Sequence, residues 1–426
     1  MRKKNKRRLQ GAVQNIIIVC FIVSAVFLFS RTGLIQPDTL NHFFSGVSQP
    51  SSSPQDQKIN VQQPIHIAVR VGSECTGWLN ETSSGEIFED FGPLLTEALG
   101  SASTVTSVDE TEFRRALEND SVYYDFTATL PLPLLEQWLG GSDESPLSSA
   151  RALLLSSLQD NSAVLYSWNP DNDTFYRWNT TVPADSLLSA AEKHTGSALE
   201  FAFLSDAPYN NLAPYTLICQ DRTTLYELSA KTVAQAECES EILTALEFNI
   251  HSNSRYPESN GTEVIVQGMR TLRFVPDGTV LYSGSEDGVP LLNVEHQDEN
   301  ATLAECTDAA WQMASTLLRN HLGDASMYLR SVSTDGNGNA EVLFGYMVVG
   351  YPVVFQDDYA VKIQIENNTI TSFSLHLRSY TLTEKSSTLL PVLQAAAAAQ
   401  DENAHELFCG YYDDGSDALL PCWLRR

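Results

Sequence analysis

Six basic residues, Arg2, Lys3, Lys4, Lys6, Arg7 and Arg8, precede twenty residues, Gly11 to Ser30, that carry no charged side chain, and Arg31 closes the run. At about 1.5 Å per residue, a helix of that length matches a hydrocarbon core of about 30 Å. All that follows then has to fold on one side of a membrane. The bias of positive charge to the N-terminal side places the tail, residues 1–10, in the cytoplasm and the bulk of the chain outside. No small-x-small cleavage site follows the apolar run, where Phe27, Leu28, Phe29 and Ser30 stand. The expectation is therefore an uncleaved signal-anchor over residues 11–31 of a single-pass cell-membrane protein, in preference to a removed signal peptide.

Charge narrows the partners of the exterior part. All 53 acids of the chain lie beyond Arg31 and face only 19 Lys and Arg there, a net of −34. Such a field repels nucleic acid and anionic polymers, and either keeps an exported surface soluble or favours a cation-carrying partner. Cys20 lies inside the expected span; Cys75, Cys219, Cys238, Cys306, Cys409 and Cys422 lie outside it. An even number of exported cysteines permits disulfides. Cys409 and Cys422 flank "CGYYDDGSDALLPC", a turn-rich segment with little apolar content, and are the expected pair. No Cys-x-x-Cys occurs, so nothing points to zinc or to thioredoxin-like chemistry.

Residues 32–64 hold Pro37, Pro50, Pro54, Pro64 and the run "SQPSSSPQDQ", which reads as a flexible stalk. With 43% apolar residues, the remainder has enough to build cores for two regions, set at 65–248 and 249–426. In the first, "IHIAVRV" is a strand, "FEDFGPLLTEALG" and "DETEFRRALEND" are short helices, the latter capped by Asp109, and "SVYYDFTATLPLPLLEQWLG" is a strand running into a helix that starts at its prolines. "AVLYSWNPDNDTFYRWN" is a hairpin, and a long helix covers about Thr232 to Phe248. In the second, Asp277-Gly278 turns a hairpin. Leu303, Cys306, Ala310, Met313, Leu317 and Leu318 recur at helical spacing before Gly323, and an antiparallel meander of four strands follows, with a last helix near Leu389 to Gln400. The order is mixed α+β, and one helix on one face of the closing sheet leaves the other face wet. In "GYMVVGYPVVFQDDYAVKIQIENNTITSFSLHL" the Gly350-Tyr351-Pro352 interruption marks an edge, bulge or bend, and Asp357-Asp358 a turn, so this stretch reads as scaffold.

Chemistry is hard to find. His-Glu-x-x-His, Gly-x-Ser-x-Gly, Ser-x-x-Lys and the P-loop are all missing. The histidines are scattered: His42 lies in the stalk, and His66, His296 and His376 read as surface strand residues. Of the carboxylates, Asp125 beside Tyr123 and Tyr124, and the pair Asp357 and Asp358, are the candidates for acid–base work on a glycan, which needs two facing acids with one raised pKa. "DGNGNAE" from Asp335 lacks the glycine and glutamate of a calcium loop at its sixth and twelfth positions, where Ala340 and Tyr346 stand. Trp168, Tyr176 and Trp178 are expected as cross-strand core rather than a sugar-binding groove. No catalytic residue, cofactor or metal ligand is assigned.

The basic tail with one span, "YYDFTATLPLPLLEQWL", "FNIHSNSRYPESNGTEVIVQGMRTLRFVPDGTVLYSG" and the terminal helix-plus-meander with "GYMVVGYPVVF" together resemble the YycH/YycI family of membrane-anchored regulators, and the closing meander resembles a PepSY-type domain. The resemblance, from Ile65 to about Gln400, implies a non-catalytic extracytoplasmic protein. It would bind and regulate a two-component sensor histidine kinase controlling cell-wall metabolism, and associate with a related YycH/YycI-type regulator. The acidic excess and the six exterior cysteines depart from that pattern. Contact through the membrane would use small Ser24 and Ala25 or polar Gln14 and Asn15. A membrane-tethered hydrolase of wall polymers is the alternative. A eukaryotic type II glycoprotein, suggested by sequons at Asn80, Asn260 and Asn300, is a third reading.

Overall fold

The computed structural model describes residues 63–139, 149–157, 161–251, 254–284, 289–290, 301–335, 339–399 and 404–426. The expected tail, the span with Gln14, Asn15, Ser24 and Ala25, and the stalk up to residue 62 lie outside the described residues. Among the described residues no helix is long and apolar enough to cross a membrane.

The first half builds an antiparallel sheet of nine strands: β1 (His66–Val71), β2 (Glu74–Trp78), β3 (Ser103–Val108), β4 (Ser121–Leu130), β5 (Ala150–Ser157), β6 (Ser162–Asn169), β7 (Thr174–Pro183), β8 (Ser197–Phe201) and β9 (Leu217–Cys219). Their order is β3-β7-β6-β5-β4-β1-β2-β8-β9. Both faces are covered, which is why β4 and β5 read as nearly unbroken apolar runs. On one face Val69, Tyr124 and Leu153 pack under helices α1 (Glu81–Ser101), α3 (Leu132–Leu139) and α4 (Ala184–Ala191). On the other, Tyr123, Leu154 and Tyr166 meet Phe113 and Leu117 of α2 (Glu110–Leu117) together with Phe201 and Tyr215. Asp109 caps α2 as the sequence predicts, accepting from the Glu112 amide at 2.8 Å. The first helix begins earlier than expected, because Asn80 accepts from the Ser83 amide and starts it at Glu81.

The second sheet has twelve strands: β11 (Ser254–Pro257), β12 (Glu263–Gln267), β13 (Arg270–Phe274), β14 (Thr279–Ser283), β15 (Val289–Pro290), β16 (Ala325–Thr334), β17 (Ala340–Val348), β18 (Tyr351–Phe355), β19 (Val361–Glu366), β20 (Thr369–His376), β22 (Leu407–Asp413) and β24 (Pro421–Arg425). A separate three-stranded ribbon joins β10 (Thr224–Thr232), β21 (Arg378–Thr388) and β23 (Ala418–Leu419). Since β10 pairs with β21, the change of sheet falls between Cys219 and Thr224, ahead of helix α5 (Gln235–Ala245). The expected helix is α6 (Leu303–Leu318), opened by a reciprocal capping box between Thr302 and Glu305. Along β19, Val361, Ile363 and Ile365 are buried while Lys362, Gln364 and Glu366 are not, the one-sided pattern expected of this sheet. One apolar cluster runs from Tyr124 and Leu153 through Leu135 of α3 and Met313 of α6 to Phe344 and Ile363.

The Gly350 interruption is a two-residue hairpin: Val349 and Gly350 both take positive φ, and Val348 pairs with Tyr351. Its return strand, β18, then lies parallel to β22. The hairpin thereby ties the C-terminal residues into the sheet, beyond the short α7 (Val392–Ala398). The region around Cys409, expected as an irregular tail, is a strand pair. Cys409 stands opposite Trp423 and Gly410 opposite Cys422. Successive strand residues point to opposite faces, so the two thiols sit on opposite sides of the ribbon and the expected bridge is corrected: both are free, as are Cys75, Cys219, Cys238 and Cys306.

Candidate functional site

Where the edge of the first sheet meets the C-terminal strand pair, a cleft of about 420 Å³ opens. That is the size of a small-molecule site, and the junction of two layers is a common place for one. His66, Asp125 and Glu406 stand at its buried end, and the rings of Trp78, Tyr351 and Trp423 line it. Exposed Asp221 and Arg222 also line it, from the connection between the sheets.

The buried end is organised by one guanidinium. Arg151 of β5 donates from Nε to Asp125 Oδ1 at 3.0 Å and from Nη2 to Asp125 Oδ2 at 2.9 Å, a fork-to-fork pair. The same Nη2 donates to Glu406 Oε1 at 2.6 Å, across 255 residues of sequence. His66 Nδ1 lies 3.5 Å from Asp125 Oδ2. From behind, Arg426 reaches within 3.9 Å of Glu406 Oε2 and donates from Nη1 to the Thr127 carbonyl. That carbonyl is free because β4 breaks register with β5 between Asp125 and Leu130, and Thr127 takes φ +56°. A β-branched residue in that conformation is strained by about 1–3 kcal/mol. The Thr127 amide compensates in part by donating to Asp125 Oδ1 at 2.7 Å.

Electrostatics follow from that geometry. Burial alone would push the Asp125 carboxyl up, but the Arg151 guanidinium reverses this and holds it well below the usual carboxylate range. For Glu406, burial is likewise outweighed by Arg151 and Arg426, so it too stays ionised. A carboxyl poised to give a proton is what a glycan hydrolase requires, and this pair is poised to keep its charge. Asp308, which burial pushes up to about 6, sits on α6 and is not among the cleft residues. Two thiols, Cys219 and Cys409, also line the cleft, but burial raises both, Cys409 to about 12, which leaves them protonated and poor nucleophiles.

Metal-ligating atoms of His66, Asp125 and Glu406 lie within 4.8 Å of one another. The residue types suit zinc, yet Arg151 already bonds both oxygens of Asp125 and one of Glu406. A divalent cation there would be pressed against a guanidinium, so the cluster fits an ion-pair clamp better than a metal centre.

The other sequence candidates are dispersed. Asp358 bonds Arg330 at 2.5 Å and Asp357 lies 3.6 Å from His376, both on the turn after β18 and away from the cleft. Trp168 and Trp178 are buried across β6 and β7, opposite Phe175 and Leu165, as cross-strand core. Asn80 uses its side chain twice, as the α1 cap and as a donor to the Tyr351 hydroxyl at 3.4 Å, which is a structural role for the first sequon. Residues 336–338 of the calcium-like loop, and Asn300, lie outside the described residues. Reading the sequence singled out Asp125 but missed Arg151, Glu406 and Arg426; the bulge-prone "FTATL" after Asp125 was the local signal.

No protein-family model and no curated protein matches the chain. The crystal structure of YycH from Bacillus subtilis does superpose, with a TM-score of 0.56 over 85% of this chain and 93% of that one, at 12% identity. The fold is YycH-like. At that identity the likeness speaks to the fold alone, and the cleft and the residues of the clamp are read from this chain.

Proposed function

We propose that this protein is a membrane-anchored, extracytoplasmic accessory protein that regulates a two-component sensor histidine kinase by binding, without catalysis. The observation that supports the reading most is the likeness of fold to YycH across nearly the whole of both chains, joined to the family resemblance in the sequence. The seam agrees with it, because its two carboxylates are held ionised by Arg151 instead of being split into an acid and a base. The segment 11–31 would set the anchor and its orientation, and a related YycH/YycI-type regulator would be the second partner.

Photo-crosslinking of the full-length chain in its own membranes tests this. The expected product joins it to a sensor histidine kinase or to a sister regulator, and deletion of the chain changes the kinase's transcriptional output. Capture of neither, with unchanged output, would overturn the proposal. The competing reading, a tethered wall hydrolase, draws on the facing of Asp125 and Glu406 in the cleft and predicts turnover of wall fragments.

A further inference from the structure

We propose that one corner of the second sheet, the outward face of β18, β22 and β24, rests on the lipid surface of the membrane that anchors the chain. Strand alternation defines the corner. Phe408 pairs with Leu424, and Val354 of β18 with Tyr412. Cys422 follows on the same side of β24, and one step beyond the Tyr411–Pro421 pair Leu420 comes opposite Tyr412. The residues between them, Val353, Tyr411 and Pro421, are buried in the core, whereas Tyr412 and Leu420 are 43% and 60% exposed. Val354, Phe408, Cys422 and Leu424 are partly exposed beside them, and none of the six carries a charge. The same side of the sheet can be traced through β17, where Met347 stands opposite Pro352 and Leu343 opposite Lys362. There it is polar, with Lys362 and Gln364 of β19 facing Ser374 and Ser372 of β20. An uncharged apolar patch on an otherwise polar, acidic surface marks a contact with a protein or a membrane.

The place where the chain enters the fold favours the membrane. The described chain begins at Gln63, and Ile65 packs on Tyr328 and Met347, on this same side of the sheet. Ile65, Pro352 and Phe408 border one small gap, so the chain leaves the fold along the edge of the apolar corner. Residues 32–62 are all that separate Gln63 from the expected span. An anchor there would hold the fold by this corner. A tethered surface meets the bilayer at high effective concentration, so a few side chains suffice. Leucine and tyrosine suit the task, because the phenol sets its ring in the apolar layer and its hydroxyl among the headgroups. The net charge of −27 repels anionic lipid, and the surface that fits an uncharged corner of such a chain is zwitterionic.

The inference rests on the anchoring in the proposed function and gives the anchored fold a resting surface. The full-length chain is placed in phosphatidylcholine nanodiscs with p-benzoylphenylalanine in place of Tyr412, Leu420 or Gln364, irradiated, and weighed intact by mass spectrometry. Recovery with the discs reports the anchor by itself. Positions 412 and 420 are expected to gain the mass of one phosphatidylcholine in at least tenfold higher yield than position 364. Leu420→Asp, which puts a charge on the corner, should cut the yield from position 412 at least fivefold while keeping the melting temperature. Four results would overturn the inference and leave the anchor standing: chain in the discs without a lipid adduct at 412 and 420, equal adduct at 364, position 420 joined to a second copy in place of lipid, or full yield in folded Leu420→Asp. Chain that stays out of the discs would overturn both.

Discussion

Among the described residues two arginines are forked onto buried aspartates, Arg151 and Arg378, and the two clamps differ. Arg378 of β21 bonds both oxygens of Asp413, at 2.9 and 3.0 Å, and spends its remaining donors on the Thr232 hydroxyl and the Ser416 carbonyl. Asp413 also accepts from the Tyr380 hydroxyl and the Gly415 amide. Every group in that clamp is answered. Arg151 makes the same fork onto Asp125 but shares itself with a second carboxylate, and the other oxygen of Glu406, closed to solvent, faces Arg426 Nε at 3.9 Å without a hydrogen bond. The same pair of residue types thus gives a closed staple in one sheet and an incompletely bonded clamp at the seam of two. Fully satisfied buried networks rigidify and specify a fold.

Removing the arginine of the seam clamp should have the largest effect. Arg151→Met leaves buried Asp125 with only His66 beside it and Glu406 with only Arg426 at 3.9 Å, and about 3–5 kcal/mol of unfolding free energy should be lost at pH 7, read by urea denaturation. The sign of the pH dependence should also invert. In the native protein Asp125 and Glu406 are lowered in the folded state, so their contribution is complete above the ordinary carboxylate pKa of about 4. It is lost as pH falls below that value, through the folded pKa. Without Arg151, burial dominates and raises them, so the variant should gain stability on going from pH 7 to pH 5. A variant that weakens on acidification would break the comparison.

Arg378→Met should cost about 3 kcal/mol, because a single carboxylate is stranded and Tyr380 and Gly415 still bond it. Asp308 sharpens the contrast as a half-buried acid with no arginine. Burial raises it to about 6, so its contribution is complete below the unfolded value of about 4 and is lost as pH rises through the folded one, and Asp308→Asn should gain about 1 kcal/mol at pH 8 and little at pH 3. Smallest of all, Glu406→Gln should change stability by less than about 1 kcal/mol, since its amide oxygen can still accept from Arg151, which also keeps Asp125.

These contrasts explain how far the sequence could be read. Local signals carried well: Asp109 caps a helix, Pro131 and Pro133 start one, and Thr302 with Glu305 opens the α6 whose apolar spacing was plain. Alternation in β19 and the Gly350 turn were equally legible, and the YycH-like architecture was within reach of pattern. Pairings over long separations were not. Nothing near Thr224 announces that β10 pairs with β21. A helix that starts in "ETSSGE" is hidden by its polar residues until the Asn80 cap is seen. Cys409 and Cys422 are close in sequence, but strand register, which short spacing does not reveal, turns them apart. Asp125 could be suspected from its apolar neighbours, whereas Arg151 arrives from β5, and Glu406 and Arg426 from just before β22 and just after β24.

Regulation by contact, with the seam carboxylates kept as charges, leaves no reaction for the cleft to catalyse. The most direct test is a turnover assay on defined peptidoglycan fragments with purified full-length protein, run beside Glu406→Gln. The account predicts no product above background from either. Product release by the native chain that vanishes in the folded Glu406→Gln variant would contradict it.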